Sequence, residues 1–258
     1  MRNHIYRILS EKSDFSYPGF VPDTNLLCAK NSAEMVVDMN KKLMFRIFID
    51  ICMTVCLLLL MPYSFLSETA HEWIGMVMLV LFLVHHFLNI KWLHGVTKGR
   101  YSAFRIVQTL LVAAMMVLMA GSMVSGILLS NHLFKAIREI VLATWARQVH
   151  MFCAYWGFAV MSAHLGIHWN IVVNMTGRLF KKPSAARRYI ARFVATIAAG
   201  YGIYAVHKRQ IPEYLLMKNH FVFYDYTESV VFFIADYIAV MILIAFVSYY
   251  ILQRIINN

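Results

Sequence analysis

The sequence predicts an all-α, polytopic membrane bundle with six transmembrane helices, and three observations carry that prediction. The first is composition. Of the 258 residues, 60% are hydrophobic and only 14% are charged, and the mean hydropathy is +0.61, far from the balance of an average soluble domain. The second is the recurrence of apolar stretches near the length of about 20 residues that a bilayer demands. The third is where the charges fall. The formal net charge is +11, but the lysines and arginines cluster at the ends of the apolar stretches, where they set topology. This basicity therefore belongs to a membrane protein, and no nucleic-acid partner is expected.

Each element follows from the residues in turn. Residues 1–40 are polar and mixed, interrupted by Pro18, Gly19 and Pro22. No apolar run follows the early basic residues, so they do not read as a signal peptide. They read as a cytoplasmic tail or as an extension upstream of a start at Met39, in MNKKLMFRIF. The first span is expected from about Leu43 to Leu60, closed by Pro62, and the second from about Glu72 to Leu93. The third runs from about Phe104 to Ser130 and contains Gly121 and Gly126. The fourth runs from about Trp145 to Asn174, the fifth from Tyr189 to Val206, and the sixth from Val230 to Leu252. Basic loops lie at 94–105 and 176–192, and an aromatic segment suited to an interface lies at 207–228. The expected organisation is a tail at 1–40, a four-span core at 41–176, and two further spans with an extracytoplasmic aromatic segment at 177–258. Lysine and arginine bias places both termini in the cytoplasm.

Two of these spans carry histidines in one pattern. HEWIGMVMLVLFLVHHFLNIKW begins at His71 and reaches His85 fourteen positions later; HMFCAYWGFAVMSAHLGIHW begins at His150 and reaches His164 at the same spacing. Fourteen residues of helix rise about 21 Å and bring the side chain back to within roughly 40° of its starting face. The two histidines of one helix then look the same way from opposite leaflets. The predicted topology runs both helices from outside to inside, which sets His71 level with His150 and His85 level with His164. Such a pair of helices could clasp two haem irons: an outer one between His71 and His150, and an inner one between His85 and His164. Histidine is an axial ligand of haem iron. A four-helix haem-binding core holding two non-covalent b-type haems follows. The four cysteines, Cys28, Cys52, Cys56 and Cys153, form no CxxCH, so covalent haem attachment is not indicated.

Several neighbours compete or assist. His86 is the alternative to His85, although a fifteen-residue step turns it roughly 60° off the starting face. His168, one turn beyond His164, could replace it, serve a propionate, or touch a quinone. Arg147, one turn before His150, and Arg105, at the mouth of the third span, could each hold a propionate carboxylate. Asp50 and Asp236 lie within spans, where an acid is costly and is usually paired or proton-carrying. The glycines at 75, 121 and 126 would let a macrocycle or another helix approach the backbone.

HEWIGMVMLVLFLVHHFLNIKW, KGRYSAFRI, the SGI of the third span and HLGIHW, together with YGIYAVHKRQIPEY and FIADYIAV, resemble the flavinylation-associated cytochrome domain family over about residues 39–252. The resemblance implies a bacterial cytoplasmic-membrane haem protein that moves electrons across the membrane. Its partner would be an extracytoplasmic flavoprotein or another redox protein, and His71, His85, His150 and His164 would be the ligands. The chain has no GxGxxG and no DGxSGAT-like flavin-attachment sequence, so nicotinamide oxidation and covalent flavin are expected on partners. The competing readings are the membrane subunit of a quinone oxidoreductase, drawing on the quinone pool through Asp50, Asp236 and His168, and a metal-ion transporter using the same histidines. Whether the chain is itself an enzyme is left open by the residues.

Overall fold

A computed structural model describes residues 24–98, 101–140, 144–169, 173, 185–219, 221–222 and 224–257, with side chains from residue 41 onward except at 188 and 255–257. It divides into two units, residues 1–47 and residues 48–258. The described part of the first unit, 24–47, is helical throughout. The second unit holds everything that bears on function.

All the described secondary structure is helical: α1 (Thr24–Leu60), a 3-10 turn (Tyr63–Phe65), α2 (Glu68–Leu88), α3 (Ile90–Gly95), α4 (Ala103–Leu129), α5 (Lys135–Ile140), α6 (Ala146–Ile167), α7 (Ala185–Lys208), α8 (Ile211–Leu215) and α9 (Val230–Asn257). Among the described residues, five helical stretches are long and apolar enough to cross a membrane: Lys41–Leu60, Glu68–Leu88, Ala103–Leu129, Ala185–Lys208 and Val230–Arg254. Side chains such as Phe87, Val117, Val231 and Phe232 stand exposed on them, as lipid-facing positions should. This is a membrane-embedded helical chain.

The fourth expected span, α6, is not among the five. Its position explains why. It lies against α4, α8 and α9 and buries Cys153, Tyr155, Phe158, Ser162, Gly166 and Ile167. A helix screened from lipid by its neighbours can carry Arg147, His150 and His164 without a continuous apolar surface.

Helix ends follow local chemistry. Ser67 caps α2 by accepting from the Ala70 amide at 3.2 Å, and Ser102 caps α4 by accepting from the Arg105 amide at 3.3 Å. The second span stops at Leu88 rather than Leu93. Asn89 folds its side chain back, Nδ2 donating to the His85 carbonyl at 2.9 Å, and α3 restarts at Ile90. The fourth stops at Ile167, where the His168 amide donates to the His164 carbonyl at 3.3 Å. Residues 170–172 and 174 of the expected continuation, the 177–184 loop and the first 23 residues lie outside the described residues.

Helices α7, α9, α6 and α4 pack in that order. Close approach is set by glycine. A Cβ at Gly202 would stand 2.8 Å from Leu243 Cβ, one at Gly166 would stand 2.8 Å from Ala245 Cα, and one at Gly121 would stand 2.6 Å from Cys153 Sγ. The core between α6, α8 and α9 is aromatic: Tyr155 stacks on Tyr214 at 4.6 Å, and Phe233 on Tyr237 at 4.8 Å. A second cluster joins Ile49 and Met53 of α1 to Met78 and Phe82 of α2, with Met119 and Met161 against it. Helix α2 touches α4 only sparsely. Between α2 and α6 lies a cavity.

Candidate functional site

The cavity holds about 460 Å³, within the range of small-molecule and cofactor sites. Methionines make up much of its wall, Met53, Met76, Met78, Met115, Met119 and Met161 among them. Two glycines of the facing helices, Gly75 on α2 and Gly157 on α6, also line it, and a Cβ at either would meet nothing within 4 Å.

His71 enters from α2 and His150 from α6, and both line the cavity. Their ring centroids are 6.2 Å apart with planes at 70°. A metal-bound imidazole nitrogen stands about 2 Å from its ion and roughly 1 Å from its own ring centre, so two rings flanking one ion have centroids roughly 6 Å apart. The His150 Nδ1–H donates to the Ser122 carbonyl at 3.0 Å, with Ser125 Oγ at 3.3 Å from the same nitrogen. That tautomer leaves Nε2 as the nitrogen with a free lone pair, the arrangement that orients ligating histidines. His71 Nδ1 is buried with no hydrogen-bond partner, an expensive state for a polar atom. The small face of α4 makes this fit possible, since a Cβ at Gly126 would press on His150 Cε1 at 3.3 Å.

The other pair lies one layer away. His164 is within electrostatic reach of His85, His168 and Asp50, and its Nδ1 is buried and unpartnered. Helices α2 and α6 therefore run in the same direction with their histidines at matching heights. His85 Nδ1 meets the Asp50 carboxylate at 2.6 Å, and Asn89 Nδ2 is 3.5 Å from its Nε2. His86 instead turns its Nδ1 to the Phe82 carbonyl at 2.8 Å. His168 stacks its ring 4.7 Å from that of His164 and places Nε2 3.4 Å from Gln108 Nε2. Among the described residues, no three or more histidine, cysteine or acidic side chains converge to hold a metal ion; His71 and His150 face one another as a pair.

The polar partners sort differently from the expectation. Arg147 lines the cavity beside His150, and Arg138, which the sequence reading passed over, lines it too. Arg105 does not. Its guanidinium donates to the Gly95 carbonyl and lies 4.7 Å over the Tyr101 ring, so it braces the turn between α3 and α4. Asp236, fully buried, accepts from Tyr201 at 2.5 Å and Arg209 at 2.8 Å and pairs with Lys208 at 2.9 Å. It is a structural acid and is not among the residues that line the cavity.

At the cavity mouth, Tyr63 donates to Glu68 at 3.1 Å, and its ring stands 5.0 Å from His71. Burial, then the Glu68 carboxylate, push the Tyr63 phenol up from its ordinary value. Burial likewise pushes Tyr224, also in the wall, up to about 12, so it remains a donor to the Met61 carbonyl at 3.4 Å. Ser122, Ser125, Gly157 and Arg138 were missed in the sequence reading. The stripe Gly121, Ser122, Ser125, Gly126 on one face of α4 was the available signal, since small residues mark close helix contact. No family model, curated protein or solved structure matches this chain.

Proposed function

We propose that this chain is a membrane b-type dihaem cytochrome, a conductor of electrons between the two faces of the bilayer. The observation that carries the reading is the His71–His150 pair, set 6.2 Å apart across a ligand-sized cavity, with His150 oriented through Ser122. The buried, unpartnered nitrogens of His71 and His164 and the open Gly75 and Gly157 support it as well. The facing of His71 and His150 as a pair suits a porphyrin iron, which needs only two axial ligands from the protein. A transported or structural ion would ask for three or four.

On this reading α6 is a sixth membrane helix, central rather than lipid-facing. His71 and His150 would hold the outer haem; His85 and His164 would hold the inner one. Arg138 and Arg147 would face the outer propionates. The haems supply one-electron chemistry; the protein supplies ligation, position and dielectric. The chain's own residues line the site with thioethers and orient the His150 and His85 imidazoles by their Nδ1 contacts. Electrons would be exchanged with a quinol or reductase at the cytoplasmic face and with an extracytoplasmic flavin-carrying or other redox partner, consistent with the flavinylation-associated cytochrome resemblance. Asp236 gives the quinone-oxidoreductase alternative no help, because its carboxylate is fully committed to Tyr201, Lys208 and Arg209.

The test is a reduced-minus-oxidised spectrum and a haem count on the purified chain. Two b-type haems per chain are expected. His71→Ala and His150→Ala should each remove one haem and leave the other. Full haem content in both variants would overturn the ligand assignment.

A further inference from the structure

The two imidazoles that face each other across the cavity are held very differently. His150 is fixed. Its Nδ1–H donates to the Ser122 carbonyl at 3.0 Å, and the hydroxyl oxygen of fully buried Ser125 stands 3.3 Å from the same nitrogen. A Cβ at Gly126 would stand only 3.3 Å from its Cε1. Its helix, α6, is gripped by α4, α8 and α9. His71 lacks such support among the described residues. Its Nδ1 is buried with no hydrogen-bond partner. Its contacts with other rings are edge-on, Tyr63 at 5.0 Å and His150 at 6.2 Å. Its helix, α2, meets α4 sparsely, and Gly75, one turn further on, leaves open space beside it.

A hydrogen bond to the far nitrogen of a ligating imidazole fixes the ring and makes it a better donor; losing that partner weakens a metal site by about 10–100-fold. Of two imidazoles on one iron, the unsupported one is therefore the first to leave. What takes its place is decided by the room and polarity beside it. The wall there is largely thioether, which offers an incoming molecule little to hydrogen-bond. Carboxylates stand on the His71 side, since Glu68 and Glu72 of the same helix line the cavity. They repel an anion, whereas a small uncharged molecule meets no such barrier.

We propose that His150 is the permanent ligand of the outer iron and His71 an exchangeable one, so that the cavity is also a binding site for a small neutral diatomic that ligates ferrous iron. In the exchange the bond to the His71 nitrogen breaks and a lone pair of the incoming molecule forms the new one; no electron or proton is transferred. This rests on the haem reading of the His71–His150 pair alone and adds to it which side of the site opens.

Carbon monoxide and free imidazole, added to the purified full-length chain, test this. The reduced wild type should take up carbon monoxide, seen as a shifted Soret band in the difference spectrum. His71→Ala, which lacks the outer haem, should lose that uptake. Imidazole supplied during haem loading should restore the missing haem in His71→Ala, because the vacated place opens on the cavity. It should not do so in His150→Ala, whose place is closed in by Ser122, Ser125 and Gly126. An unfolding midpoint on each variant separates loss of the ligand from loss of the fold. A reduced spectrum unchanged by carbon monoxide, uptake undiminished in His71→Ala, or imidazole that restores both variants or neither would overturn the proposal even though haem is bound. A chain that binds no haem would remove the haem reading itself, a separate and recognisable result.

Discussion

Glu72 follows His71, and its carboxylate accepts from the Ser130 hydroxyl at 2.8 Å and from the Asn131 and Leu133 amides at 2.7 and 2.8 Å. One side chain of α2 thus gathers the turn that ends α4. Hydrogen bonds to a charged acceptor are worth more than neutral ones. Glu72→Gln should cost about 2–3 kcal/mol, read as a lowered unfolding midpoint in detergent. Haem occupancy should fall at the His71 layer alone, since the latch lies one residue from that ligand. An unchanged midpoint would remove the latch from the account. The sequence could not announce this contact. Glu72 was visible as the start of a span, but its partners sit about sixty positions away, and only the meeting of helix ends brings them together. The same holds for Asp50, read as an isolated intramembrane acid until its bond to His85 appears.

Helix positions and the fourteen-residue histidine spacing were legible in the sequence because period and length are local properties. The depth of each helix in the bundle was not. α6 was expected to be a span like the rest, yet it is the hub against which α4, α8 and α9 close. Gly166 shows how tight that closure is: a Cβ there would stand 2.8 Å from Ala245 Cα on α9. Backbone cannot yield as a side chain can. Gly166→Ala should therefore destabilise the α6–α9 contact by about 1–3 kcal/mol, the usual cost of overpacking. Denaturant titration of the purified protein checks this, and a neutral result would mean the two helices stand further apart. Gly157→Ala makes the contrasting case at the same chemistry. Nothing lies within 4 Å of its Cβ position, so stability should hold.

At the level of the whole molecule, one end of the α7–α9 pair is locked by a network of two acids and two bases. Lys208 and Arg209 each reach both Glu228 and Asp236, at 2.6–2.9 Å. Burial alone would raise the Glu228 carboxyl, but its bonds to Lys208 and Arg209 outweigh that and hold it below its ordinary value of 4.5. A carboxyl depressed in the folded state contributes stability above its unfolded value and loses it as pH falls through the folded one. The protein should accordingly weaken below about pH 4.5, and Glu228→Gln should flatten that part of the curve while lowering stability at neutral pH. Unfolding midpoints measured from pH 3 to 7 decide it. The cavity follows a different material logic. Thioether chains turn about three bonds and have no branch to hold a fixed outline. A space bounded by them is mouldable: its contour comes from rotamer choice around whatever occupies it, so a guest of somewhat different edge or substituent could be seated without the helices shifting.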